Sequence, residues 1–141
     1  MESTTDRNTD TEIRRFYDSK NIAVVGMSAN EGKPAHFVPK FLIDNGYNVI
    51  PVNPTIREIL GRKSYPHITD IPENVDIVDI FRKSEDISPV IDDAIKKKGV
   101  KVIWMQLGIY NEEAERKARE SGISVVFNRC MMEEHKRLLG N

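Results

Sequence analysis

The run Ile22-Ala23-Val24-Val25-Gly26-Met27-Ser28-Ala29-Asn30-Glu31-Gly32-Lys33-Pro34 decides how the rest of the chain is read. It opens with apolar, mostly β-branched residues, the signal of a buried strand. Gly26 ends that strand, small and polar residues follow, and Lys33-Pro34 can start a helix. A strand that runs through a glycine turn into a helix N-terminus makes an anion site. Backbone N–H groups point outward there, and the helix dipole favours negative charge. Ser28 adds a hydroxyl and Lys33 a charge, so the loop is read as holding a phosphate-bearing cofactor. The dinucleotide fingerprint G-x-G-x-x-G is absent, because the glycine after Gly26 is Gly32. No G-K-S or G-K-T follows either. An ordinary strand–helix turn with a capping serine therefore stays open beside the phosphate reading.

The same strand-then-helix unit recurs outward from this stretch. A helix is expected over about 35–45, with Phe37, Val38, Phe41 and Leu42 on one side and Asn45-Gly46 as its stop. Pro39 removes a helical donor, which predicts a kink or a late start. Tyr47 to Val52 reads as a second strand, ended by Asn53-Pro54. The segment from Thr55 to Pro72 is the least regular, with Glu58 to Ser64 read as a short helical turn or a small excursion. Val75 to Phe81 reads as a third strand. Ser88 and Pro89 then open a helix as cap and first residue, with Val90, Ile91, Ala94 and Ile95 inward. Lys96-Lys97-Lys98 suit that helix's C-terminal dipole, and Gly99 stops it. Val100 to Met105 reads as a fourth strand, followed by Gln106-Leu107-Gly108. Asn111 caps the next helix, which Gly122 ends. Ile123 to Phe127 reads as a fifth strand, Asn128-Arg129-Cys130 leave it, and Met131 to Leu139 form a last helix. At the other end, Thr9 or Asp10 caps a short helix presenting Ile13, Phe16 and Tyr17. Residues 1–8 read as a disordered tail, and 9–141 as a single domain.

Compact apolar strands alternating with helices predict an α/β protein with a five-stranded parallel sheet covered on both faces. Right-handed crossovers suggest the doubly wound order 3-2-1-4-5. The ligand crevice then lies at the carboxyl ends of strands one and four. Gly26, Met27 and Ser28 face Trp104, Gln106 and Gly108 there, and Asn53-Pro54 and Phe81-Arg82 share one rim.

Bulk properties narrow the function. Lysine plus arginine number 21 and aspartate plus glutamate 22, which argues against a general nucleic-acid binder. No apolar run approaches the about 18 residues that span a bilayer. The polar stretch Met1 to Thr11 lacks the apolar core of a signal peptide. A single cysteine, Cys130, leaves no internal disulfide and no cysteine-based zinc cluster. These features predict a cytoplasmic protein.

Strand two ends in Asn53 where an NAD site uses a carboxylate against the ribose hydroxyls. Without that carboxylate a phosphorylated ribose is tolerated. Lys33, Arg57, Arg62, Lys63, Arg82 and Lys83 supply positive charge nearby. Coenzyme A, with a pyrophosphate and a 3′-phosphate, fits better than NAD, and NADP remains conceivable. The blocks Val24-Val25-Gly26-Met27-Ser28, Lys33-Pro34, Gly46 to Pro54, Val78 to Arg82 and Trp104 to Gly108 occur in order, each at or beside the end of a strand. Together they resemble the stand-alone CoA-binding proteins, which are similar to the N-terminal CoA-binding domain of the succinyl-CoA synthetase α subunit. The likeness covers about residues 12–138. It implies a Rossmann-like fold with CoA at the strand ends. Carried over, Gly26, Ser28 and Lys33 meet the phosphates, with Met27, Ala29 and Pro34 beside them in the chain. Asn53 and Pro54 line the adenosine, Phe81 and Arg82 flank it, and Gln106 and Gly108 face the pantetheine. Pro39 departs from the expected first helix. The synthetase's phosphorylated histidine belongs to a further domain, so no histidine here inherits that role.

Other chemistry is sparse. Trp104 reads as core. Cys130 reads as a small buried residue, the alternative being a thiol activated by Arg129. His36 reads as a surface residue, with a phosphate contact as the alternative, His135 as a surface residue and His67 as a loop residue, with no metal spacing among them. Three functions follow: a binding module for CoA or acyl-CoA, an NAD(P)-dependent oxidoreductase, and a nucleotide-sensing regulatory domain. A homodimer or a protein partner is compatible with the first and the third.

Overall fold

The computed structural model describes residues 6–140. Among these residues, five α-helices and seven strands follow in chain order. They are α1 (Asp10–Phe16), β1 (Asn21–Val25), α2 (Pro34–Asp44), β2 (Asn48–Val52), β3 (Glu58–Ile59), β4 (Arg62–Lys63) and β5 (Ile77–Ile80). After these come α3 (Ser88–Lys97), β6 (Val102–Met105), α4 (Glu112–Glu120), β7 (Ser124–Val126) and α5 (Met131–Leu139).

The expected α/β class holds: β2, β1, β5, β6 and β7 form one parallel sheet in that order. Counting only these five, the order is 2-1-3-4-5 and not the expected 3-2-1-4-5. Pro51 explains the difference. Its carbonyl accepts from Tyr65 N–H (3.0 Å) on the side of β2 away from β1. The N–H that proline lacks would face the same side, so that side cannot carry a full ladder and β2 must be an edge strand. The chain after β2 covers this edge, with a bridge from Val52 to Tyr65. The third long strand, β5, therefore pairs with β1 on its other side.

Local chemistry sets the boundaries. Thr9 and Glu12 form a reciprocal cap on α1, with Thr9 Oγ1 accepting from Glu12 N–H and the Glu12 carboxylate from Thr9 N–H. Asn111 caps α4 by accepting from Ala114 N–H at 2.9 Å, as its sequence position predicts. Ser88 is not a cap. It is the first residue of α3, and its hydroxyl donates to Glu113 (2.9 Å) and accepts from Lys117 (2.6 Å). Glu58 to Ser64 is not helical but an antiparallel hairpin. Its turn runs through Leu60 and Gly61, both at positive φ, the combination two-residue hairpin loops require. Pro39 lies inside a continuous α2 that starts at Pro34.

Two residues of the segment 1–8 are bonded to the end of the sheet. Asp6 accepts from Phe127 N–H at 3.0 Å, and Asn8 donates to the Val125 carbonyl at 2.8 Å. The first five residues of that segment lie outside the described residues. Side chains alternate across the sheet. Ala23, Val78, Ile80 and Ile103 pack under α3 and α4, while Ile22, Val24, Ile77 and Trp104 pack under α1, α2 and α5.

Candidate cofactor-binding site

The chain order reverses between β1 and β5, and ligands of open α/β sheets bind at such a point. Gly26 stands there at φ +84°, and a Cβ on it would lie 2.3 Å from the Phe81 carbonyl oxygen. Only glycine fits, and the reason is the packing of two strand ends. The 2-1-3-4-5 order corrects the expected crevice between strands one and four. Phe81 and Arg82 adjoin Gly26 directly, and Asn53 lies on its opposite side.

The glycine loop is tied down on both sides. Ser28 N–H donates to the Ala35 carbonyl at 3.1 Å, and the His36 Nδ1–H donates to the Ser28 carbonyl at 2.8 Å. The α-helical donor to Ala35 would be residue 39, and Pro39 has none. The proline that looked awkward in sequence frees the carbonyl that anchors the loop. Asn53 holds the other side, its Nδ2 donating to the Met27 carbonyl (3.0 Å) and its Oδ1 accepting from Thr55. The Ser28 hydroxyl accepts from Asn30 N–H, which leaves its proton for an outside acceptor.

Two cavities open at these strand ends. The larger, about 480 Å³, is lined by Lys33, Pro34, Phe81, Arg82 and Gln106 among others. The smaller, about 300 Å³, lies on the opposite face, with Pro54, Pro66, His67 and again Arg82 in its wall. Six of the predicted residues thus meet at the cavities. Gly26, Met27, Ser28, Ala29, Asn53 and Gly108 shape the surrounding loops. The Met27 side chain is fully buried in the core. Gly108 donates its N–H to Asn128 Oδ1 at 2.7 Å. Arg62 bonds Asn48 and the Val49 carbonyl, on the first residues of β2 and away from the crevice.

Asp79, which the sequence did not single out, lies behind the cavity wall and holds Gln106. It is 0% exposed, and its Oδ1 accepts from Gln106 Nε2 at 2.6 Å. Burial pushes its carboxyl up to about 7, and the Gln106 hydrogen bond offsets only part of that. A lone acid inside the apolar run Val75 to Phe81 was the available signal. Cys130 lines the larger cavity, and burial raises its thiol, only partly offset by hydrogen bonds from the Glu133 and Met132 backbone. Arg129 does not activate it, being held by Asp6 (3.0 Å) and Glu134 (2.6 Å). His36 is 5% exposed, contrary to its surface reading. His135 is buried too, among the rings of Tyr17, Phe41 and Tyr47. Trp104 is core, as expected, with its indole N–H on the Arg129 carbonyl at 2.8 Å.

Among the described residues, no helix is long and apolar enough to cross a membrane. No group of three or more His, Cys, Asp or Glu side chains among them is placed to hold a metal ion.

Known proteins share this architecture. The sequence profile of the family described as "CoA binding domain" matches residues 20–136. The Bacillus subtilis protein YneT is 40% identical over 83% of this chain and 86% of its own length. The ADP-forming acetate–CoA ligase I of Archaeoglobus fulgidus is 32% identical over 84% of this chain, which corresponds to 19% of the ligase. Among solved structures, a hypothetical protein from Pyrococcus horikoshii OT3 aligns with a TM-score of 0.93 and 48% identity, covering 99% of this chain and all of that one.

Proposed function

The chain belongs to the CoA-binding domain family, and from that premise we propose that it binds CoA or acyl-CoA as a module without chemistry of its own. The adenosine occupies the smaller cavity beside Pro54, and the pyrophosphate crosses between the Gly26–Lys33 loop and Arg82. The pantetheine arm enters the larger cavity toward Gln106. One observation carries this reading: Arg82 lines both cavities, so a cation stands where two hollows meet beside a glycine loop. CoA has the matching outline, a nucleotide and a pantetheine arm joined through phosphates. An NAD(P) site is less well supported. The Asn53 side chain at the end of β2 is engaged with Met27 and Thr55 where NAD sites place a carboxylate. Cys130, held as a neutral thiol, supports binding over nucleophilic chemistry. The single cysteine also fits a cytoplasmic protein.

Calorimetric titration with CoA, NAD and NADP tests the reading. CoA is expected to bind in preference to both nicotinamides. Lys33→Ala removes a charge-assisted contact at the cavity rim and is expected to weaken CoA about tenfold or more. Tighter NADP binding, or no CoA isotherm, overturns the assignment.

A further inference from the structure

We propose that the larger cavity receives the acyl chain of an acyl-CoA, so that the protein prefers medium-chain acyl thioesters to free CoA. The proposal rests on the CoA reading above. Positive charge in the cavity wall comes from Lys33 and Arg82. Gln106 and Glu133 are its other polar members, and the rest of the wall is mainly apolar, with Phe37 and Val38 from α2, Leu107 and Ile109 from the loop after β6, and Met132 from α5. Leu107 is 68% exposed and Phe37 40% exposed. Two large apolar side chains are thus kept in water beside a hollow of about 480 Å³, where an apolar occupant would cover them.

The charge and amide chemistry narrows the occupant. An anionic head suits Lys33 and Arg82. Gln106 has its Nε2–H committed to Asp79, which leaves its carbonyl oxygen to accept an amide N–H of the kind the pantetheine arm carries. A bare thiol or an acetyl group ending in this cavity would leave most of the apolar wall wet. A longer chain covers it, and Met132 adapts to different lengths. Cys130 is a neutral thiol here and serves as wall.

The test is calorimetry with CoA, acetyl-CoA, hexanoyl-CoA and decanoyl-CoA on the full chain. Affinity is expected to rise about fourfold for each methylene buried. Decanoyl-CoA has a chain about eight methylenes longer than acetyl-CoA, and covering the cavity wall with about three to four of them makes it bind about a hundredfold tighter, with an increasingly negative heat-capacity change. Phe37→Ser and Leu107→Ser, both at partly exposed positions that leave the core intact, should each cut the decanoyl advantage several-fold. Equal affinity for acetyl-CoA and decanoyl-CoA, or tightest binding of free CoA, overturns the proposal while leaving the CoA reading standing. Failure of all four to bind overturns the CoA reading and the proposal with it.

Discussion

The two faces of the sheet solve the same packing problem with different materials. Under α3 and α4 the core is mainly aliphatic, with Val78, Ile80, Ile91, Ile103 and the small Ala94, Ala114 and Ala118. Under α1, α2 and α5 it contains Tyr17, Tyr47 and Trp104, and the buried polar residues His36, Asp79 and His135 lie on this side. Among the described residues, His36 Nε2, Asp79 Oδ2 and His135 Nδ1 are buried without a hydrogen-bond partner. A buried polar atom left unpaired lowers stability. This cost is gathered on the face of the sheet that also carries the larger cavity, although none of the three side chains lines it. The aliphatic face supplies stability, and the mixed face gives some of it up on the side of the larger cavity.

Asp79 gives the sharpest test of that division. Its folded value of about 7 lies above the unfolded value near 3.8. Between those values the folded protein keeps a proton that the unfolded chain has released. Stability is therefore fully present below about pH 4, falls as pH rises toward 7, and levels off above. The loss is on the order of 4 kcal/mol. Asp79→Asn removes the titration, so urea unfolding should show the variant gaining on the parent protein from pH 5 to pH 8. Parallel pH profiles would mean that Asp79 is solvated or paired, and the contrast between faces would weaken.

The matching change on the aliphatic face is Ile91→Ala. Ile91 is fully buried on α3, and the truncation should cost about 3 kcal/mol through lost burial and a residual cavity. That cost should be the same at every pH, with CoA affinity unaltered. A changed pH slope would show that the faces communicate through the sheet and that their energies do not add.

Much of this was legible in the sequence, for identifiable reasons. The strands were readable because a sheet covered on both faces writes itself as unbroken apolar runs, as in Ile22 to Val25. The caps at Thr9 and Asn111 were readable because capping is local. Strand order was misread although Pro51 carried the information, since a proline inside a strand marks an edge. Glycine and lysine at the first strand end pointed to the crevice, and Lys33 and Arg82 do line it. The partners of Pro39 and Asn53 were beyond reach. Pro39 matters because Ser28 needs the Ala35 carbonyl, and Asn53 because Met27 needs a donor, and neither contact has a local sequence signature. His135 looked like a surface residue because charged neighbours surround it in sequence, yet α5 turns it inward onto three rings.

His135 is also the smallest and subtlest test. Burial holds its imidazole below the ordinary histidine value, and Lys20 adds repulsion. The unfolded chain takes up the proton first, so this group's contribution is present above about pH 6.5 and is lost as pH falls below it. That slope runs opposite to the one from Asp79, in an overlapping window on the same face. The parent protein should therefore show a shallower fall from pH 5 to pH 7 than Asp79 alone would give. His135→Phe keeps a ring among Tyr17, Phe41 and Tyr47 while removing the titration and the unpartnered Nδ1, so the fall should steepen. Combining it with Asp79→Asn should remove both contributions and flatten the profile. If His135→Phe leaves the parent's slope unchanged, His135 titrates alike in the folded and unfolded states. The pH response of the mixed face would then rest on Asp79 beside the cavity.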